Sequence, residues 1–377
     1  MNNQLNFSGG PGVLPQSVLD ETQQAIAEVP GVGLSILGIS HRSDWFTAVV
    51  DEAERNIREL MGLPDSHAVM FLQGGASLQF SMVPMLLLRG SGRIAEYVRT
   101  GYWSGKAVPE AALEGDVRIV WDGEKYGFRR LPAPGELNCS EKAAYLHYSS
   151  NETVEGTQFH YVPGFDSVPR VCDMSSDFLS RPIDADRFDI ICAHAQKNLG
   201  PAGVTVVIIR RDLLEQVPAG LPTLLDYRTH LKANSIYNTP PVFAIYVTML
   251  VTRWLRDQIG GLAQMDAINR QKAACLYQGV DGSDGFYRGW AMPEYRSLMN
   301  VAFKLPTPEL EAAFLRESAE AGFSGLAGHR ALGGIRASIY NAMSLQAVHK
   351  LRSFMDHFAA AHAADHANLP ETESVPA

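Results

Sequence analysis

Seven short apolar runs recur between residues 68 and 209, and most are separated by enough chain for a helix. They are "AVMFL" (68–72), "RIAEYV" (93–98), "VRIVW" (117–121), "AAYLHY" (143–148), "PRVCD" (169–173), "DIICA" (189–193) and "VTVVII" (204–209). Short continuous runs of this kind are strands buried on both faces. When helix-length segments join them, the sheet is mostly parallel and helices cover it. Ahead of the first run, Val18, Leu19, Ala25, Ile26 and Val29 keep helical spacing behind Pro15. Phe46, Val49, Val50, Ala53, Ile57, Leu60 and Met61 do the same after His41-Arg42. A further helix is expected from about Leu78. The reading is an α/β fold: an N-terminal segment over 1–15, then a large domain over 16–260 with a mostly parallel seven-stranded sheet. Past residue 260 the rhythm becomes strand ("SLMNVAFKL"), helix ("PELEAAFLRESAEAG"), strand ("GGIRASIY") and helix ("SLQAVHKLRSFMDHF"), a smaller α+β domain over 261–361. The stretch 362–377 has no apolar period and is expected to be disordered.

A chain of 377 residues exceeds what one core sustains, which agrees with two domains. A net charge of -9 argues against a general nucleic-acid binder. Cys139, Cys172, Cys192 and Cys275 are widely scattered, with no CxxC pair, so they read as thiols of a reducing compartment. The longest apolar runs, "MVPMLLL" and "FAIYVTMLV", fall short of the roughly 20 residues a membrane span needs. No basic segment followed by an apolar core opens the chain. The expectation is a cytoplasmic protein with no membrane or nucleic-acid partner. The 11 histidines show no metal-ligand spacing.

Ligands of open α/β sheets bind at the carboxyl ends of the strands. The first run delivers Gly74, Gly75, Ala76 and Ser77 to a helix start, where backbone N–H groups and the helix dipole suit a phosphate. A tight strand-to-helix turn explains the same glycines. The second run delivers Trp103, a flat rigid surface whose more common role is core packing. The fifth run ends in Asp173, a carboxylate that needs a cation or hydrogen bonds in such a place. The sixth passes into Lys197 and Gly-Pro-Ala-Gly. A lysine able to form a Schiff base, a carboxylate able to keep a pyridine nitrogen protonated and a turn able to hold a phosphate make up the set that pyridoxal phosphate requires. No GxxxxGK[ST], HExxH or GxSxG competes with it.

The blocks "NFSGGPGVLP", "GISHRSDW", "GGASLQF", "GYWSGKA", "HYSSNETVEG", "DMSSDFLSRPID", "AQKNLGPAG", "YNTPPVFAIY" and "GHRALGGIRASIYNA" run through most of residues 5–360. In them the chain resembles the phosphoserine aminotransferases, class-V enzymes of pyridoxal-phosphate fold type I. "AQKNLGPAG" is the most specific of these blocks. The resemblance implies that Lys197 is the Schiff-base lysine and that Asp173 pairs with the pyridinium nitrogen. It implies that Ala76, Ser77 and Gln196 meet the cofactor phosphate, that Thr153 meets the ring region or phosphate, and that Trp103 stacks on the ring. Asn238 and Thr239 would reach the phosphate of the other subunit, so a homodimer would complete the site. His41 and Arg42 would take the distal acid group of the substrate, with His329 and Arg330 assisting. Arg336 would clamp the α-carboxylate, because a planar guanidinium matches an oxyanion bidentately. The implied reaction is transamination between L-glutamate and 3-phosphohydroxypyruvate in serine biosynthesis; in many bacteria the family also serves pyridoxine biosynthesis, through 4-phosphohydroxy-L-threonine. Two positions depart from some relatives: Ser77, where an arginine occurs, and Gly9, where a serine occurs. They leave room for a related aminotransferase acting on another acidic oxo-acid. A cysteine-desulfurase-like enzyme would need a catalytic cysteine on a mobile loop, and Cys275 stands in an apparent helix. A non-catalytic regulator would carry a fused DNA-binding segment or lack the lysine.

Overall fold

The computed structural model describes residues 2–164 and 167–363; the expected tail lies, from residue 364 onward, outside the described residues. The strands are β1 (His67–Leu72), β2 (Ala95–Arg99), β3 (Val117–Asp122), β4 (Tyr145–Ser149), β5 (Asn151–Glu152), β6 (Thr157–Gln158), β7 (Arg170–Asp173), β8 (Ile190–His194) and β9 (Thr205–Arg210), then β10 (Arg288–Gly289), β11 (Asn300–Lys304) and β12 (Ile335–Ser338). The helices are α1 (Gln16–Ala27), α2 (Asp44–Met61), α3 (Gly75–Leu87), α4 (Tyr102–Ala112), α5 (Tyr227–Lys232), α6 (Val242–Trp254), α7 (Leu262–Asp281), α8 (Pro308–Glu320) and α9 (Leu345–Ala361).

The seven expected strands form one sheet in the order β1-β9-β8-β7-β4-β2-β3. β9 runs antiparallel to both of its neighbours, and the remaining pairs are parallel. The carboxyl ends of β1, β2, β4, β7 and β8 therefore share one edge. Alternate residues bury on opposite faces, as a strand's period of two requires. In β1, Val69 and Phe71 join the core shared with Phe46, Ile57 and Ile245 of α2 and α6. Met70 and Leu72 join the core shared with Phe80, Val83 and Ala107 of α3 and α4. A third core unites Leu276, Phe303, Phe314, Ile335 and Leu351 around the sheet β10-β11-β12. No helix among the described residues is long and apolar enough to cross a membrane.

One expectation needs correction. The third helix begins at Gly75, three residues before Leu78. Gly74 (φ 91°) and Gly75 (φ 69°) take left-handed conformations, so the glycines that read as a breaker are what turns β1 directly into α3. The N-terminal segment packs on the third core. Leu5 and Phe7 are buried in the third core, where the Phe7 N–H donates to the Ser324 carbonyl at 2.8 Å and the Phe7 carbonyl accepts from the Ser338 N–H at 3.1 Å. The Gly12 N–H then donates to the Gln196 carbonyl at 2.8 Å, which ties the segment to the Lys197 turn.

Lys272 of α7 is fully buried, with Nζ donating to the carbonyls of Tyr340 (2.7 Å) and Ile339 (3.0 Å). Burial pushes its pKa down to about 7, from 10.5 in the unfolded chain. Between those values the unfolded state binds more protons, so this group adds stability as pH rises through the window, and below it the full cost of a buried charge remains. In guanidinium unfolding at fixed protein concentration, wild type should therefore gain stability relative to Lys272→Met from pH 7 to pH 10. Parallel pH profiles for the two proteins would rule that titration out.

Candidate active site

At the shared carboxyl edge lies a cavity of about 400 Å³. The β1–α3 turn (Gly74, Gly75, Ala76, Ser77), Trp103 from the first turn of α4, Asp173 at the end of β7 and Gln196-Lys197 beyond β8 all line it. Residues separated by more than 100 positions meet here because parallel strands place their ends together. Gly74, the N-cap of α3, provides no side-chain cap, so the first N–H groups of that helix face the cavity end with the positive pole of the helix.

Asp173 is buried, and its Oδ1 accepts from both the N–H (2.9 Å) and the hydroxyl (2.6 Å) of Ser175. Ser175 is held in turn, since its hydroxyl accepts from the His194 N–H at 3.1 Å. This orients the carboxylate and leaves Oδ2 with no hydrogen bond among the described residues. Lys197 Nζ donates to Thr153 Oγ1 at 2.6 Å and stands 5.3 Å from the centre of the Trp103 ring. Burial, ahead of any charge, lowers its pKa, and nearby Arg336 acts in the same direction against Asp173 and Glu152. The turn that carries Lys197 is pinned. Asn198 donates to the Phe178 carbonyl (2.6 Å) and accepts from the Asn341 N–H (2.8 Å). Gly203, at φ 120°, leads the chain away into β9.

Arg336 of β12 reaches the turn that carries Thr153, its Nη1 lying 3.4 Å from the Thr153 carbonyl. Its Nε is buried without a partner, and burial lowers the guanidinium pKa. A guanidinium held this way awaits an anion. Any side chain at Gly9 would overlap it, so glycine there lets the guanidinium lie against the N-terminal segment. The His329 ring packs 4.7 Å from that of Tyr102, beside Trp103, and Arg330 is exposed next to it.

The remaining expected residues stand elsewhere on this chain. His41 and Arg42 precede α2, which packs on α6, and neither lines the cavity. Asn238 borders a different cavity with Leu225 and Ser235, and Thr239 is exposed with its carbonyl accepting from Gln73 Nε2 at 3.2 Å. The sequence reading missed Ser175 and His194. His194 lines the cavity, pairs its Nδ1 with Thr205 Oγ1 at 3.2 Å and has a pKa lowered first by burial and then by Lys197. Cys275 lies within α7, with its Sγ 3.4 Å from His349 Nδ1 and its pKa raised by burial. A thiol with that environment on a helix does not resemble a mobile nucleophile.

The model of the class-V aminotransferase family matches residues 4–351. The phosphoserine aminotransferase of Rhodopirellula baltica is 51% identical over 94% of this chain and 95% of its own length. That of Laribacter hongkongensis is also 51% identical, over 95% of this chain and 99% of its own. Among solved structures, phosphoserine aminotransferase from Bacillus circulans subsp. alkalophilus superposes with a TM-score of 0.92 at 46% identity, covering 94% of this chain and 98% of that one. The pyridoxal-phosphate-bound enzyme from Trichomonas vaginalis gives a TM-score of 0.88 at 37% identity, covering 93% and 99%.

Proposed function

The chain belongs to the class-V aminotransferases, and from that premise we propose that it transfers an amino group between L-glutamate and 3-phosphohydroxypyruvate, forming 2-oxoglutarate and O-phospho-L-serine with pyridoxal phosphate as cofactor. The observation that carries this reading is that Lys197, Asp173 and the N-terminal turn of α3 line one cavity.

The residues present fit that cofactor. Asp173 keeps Oδ2 for a protonated ring nitrogen, while Ser175 occupies Oδ1. Lys197 Nζ, with a lowered pKa, would anchor the cofactor's carbonyl carbon. Trp103 offers a flat face, and Ala76, Ser77 and Gln196 offer donors for a phosphate. When bound, the cofactor supplies an electron sink that stabilises negative charge at the substrate α-carbon.

Lys197 Nζ is the base that takes the substrate's α-proton and the acid that returns it. Its lowered pKa places a larger neutral fraction at physiological pH than an exposed lysine has. Thr153 Oγ1 orients that amine. Arg336 holds the α-carboxylate through its fork of N–H groups, and the buried surroundings strengthen that contact. His329, packed on Tyr102 beside Trp103, and the neighbouring Arg330 would meet the distal acid group. His41 and Arg42 add to that distal site, and Asn238 and Thr239 reach the cofactor phosphate, across the interface of a homodimer. 4-Phosphohydroxy-L-threonine presents the same groups and is a second substrate of this site.

The experiment is a comparison of amino donors with 2-oxoglutarate as acceptor. O-Phospho-L-serine should exceed L-serine and L-aspartate in kcat/KM by at least about 10²-fold, since a donor without the phosphate dianion forfeits several charge-assisted bonds to the cationic partners. Equal use of L-aspartate would move the assignment to another acidic oxo-acid.

A further inference from the structure

Beside the cavity, two buried carboxylates from one short turn hold the start of α4. Glu152 is 1% exposed and Glu155 5%. Glu152 Oε2 accepts from the Trp103 N–H (3.1 Å), and its Oε1 accepts from the Ser104 N–H (3.0 Å) and the Thr100 hydroxyl (3.2 Å). Glu155 Oε1 accepts from the Tyr102 N–H at 2.9 Å. Three consecutive N–H groups at the positive end of a helix are thus satisfied from a turn some 50 residues away in sequence. Gly101, the N-cap, has no side chain to do so, and a Cβ there would lie 2.5 Å from Glu155 Oε2 and 2.7 Å from Glu152 Cδ.

A local serine or aspartate at the cap would stabilise α4 as well and would avoid burying two carboxyl groups. What the distant turn adds is its own connections. Thr153, between the two glutamates, accepts from Lys197 Nζ at 2.6 Å, and its carbonyl lies 3.4 Å from Arg336 Nη1. One rigid turn therefore spans the backbone of Trp103, the amine of Lys197 and the guanidinium of Arg336. We propose that Glu152 is a positioning residue for the transamination: it sets the Trp103 ring against the bound cofactor, in register with Lys197. This rests on the aminotransferase reading above.

The two carboxylates have different parts. Burial raises the Glu152 pKa, while its three donors and the helix dipole act against that shift and favour the ionised form. Glu155 has Oε2 buried without a partner, and burial together with the charge of Glu152 raises its pKa well above the usual carboxylate range. Glu155 serves through one acceptor atom, Oε1, so an amide replaces it without losing the bond to Tyr102. An amide at Glu152 instead turns an NH₂ toward the N–H of Trp103 or Ser104.

The test measures pyridoxal-phosphate affinity by equilibrium dialysis, without substrate, alongside thermal unfolding of each holoenzyme. Glu152→Gln should weaken cofactor binding by about 10-fold or more, whereas Glu155→Gln should change it by less than about 3-fold. In a Trp103→Ala background, Glu152→Gln should cost no further affinity, because its effect passes through that ring. Losses that multiply in the double variant would reduce Glu152 to an ordinary cap and overturn the proposal. Should Glu152→Gln not fold, Gly101→Ala, which displaces the same carboxylates, must reproduce the Trp103-dependent loss, and an additive loss there overturns the proposal equally. A wild-type chain that takes up no pyridoxal phosphate would overturn the underlying reading, an outcome distinct from any difference among variants.

Discussion

Lys197→Ala should lose transamination by at least about 10⁴-fold in kcat while keeping its fold. In the proposed mechanism two roles converge on this amine, anchoring the cofactor and moving the α-proton, and each is worth orders of magnitude in rate. The neighbours described around the cavity offer no replacement. Thr153 and Ser175 carry hydroxyls, Gln196 an amide, and His194 is engaged with Thr205. The fold should survive because the Lys197 turn is held by its backbone and by Asn198, through bonds to Gly12, Phe178 and Asn341, and not by the amine. Removing a buried amine whose charged form is disfavoured also relieves a cost, so the unfolding temperature should shift by only a few degrees, about what a surface-neutral change gives. Steady-state assays and thermal unfolding of one preparation check both halves. Retained multiple turnover would remove Lys197 from the mechanism.

Asp173→Asn should lower kcat by about 10²–10³-fold with a smaller change in KM, the scale of removing one preorganised electrostatic partner. The carboxamide is nearly the same size, and its oxygen can keep both donors from Ser175. Geometry is therefore retained, and what changes is the group presented to the cavity: an NH₂ donor in place of an oxygen acceptor. An amide cannot hold a proton on a facing ring nitrogen, so the capacity to stabilise charge at the α-carbon falls. Activity within about 3-fold of wild type would show that the carboxylate is structural only.

The sheet was legible because its signal is local. Seven apolar runs became seven strands of one sheet, shifted by a few residues at their ends, and the residues at their carboxyl ends met in one cavity. Lys197, Asp173, Trp103, Ala76 and Ser77 were placed at those ends in this way, whereas Gln196 was named through family resemblance. The start of α3 was misjudged because glycine's usual reading as a breaker hides its use as a left-handed hinge into a helix. The packing of Phe7 beside Ser324 and Ser338 had no local signal, since the contacts join residues more than 300 positions apart. Ser175 escaped notice because its role exists only through Asp173 and His194, two strand ends whose adjacency is a property of the parallel pairing of β7 and β8. Glu152 and Glu155 look like surface residues of a polar turn until the fold brings the N-terminus of α4 against them. His41, Arg42, Asn238 and Thr239 were named through family resemblance, and a single chain does not bring them to its own cavity.

The central claim, that this chain is a pyridoxal-phosphate aminotransferase acting on phosphoserine, is tested most directly by one half-reaction. The visible absorption spectrum of the purified holoenzyme is recorded before and after adding O-phospho-L-serine without any oxo-acid. The account predicts that the band of the lysine-bound cofactor bleaches stoichiometrically with active sites and returns on adding 2-oxoglutarate. A band that persists unchanged in saturating O-phospho-L-serine would contradict it.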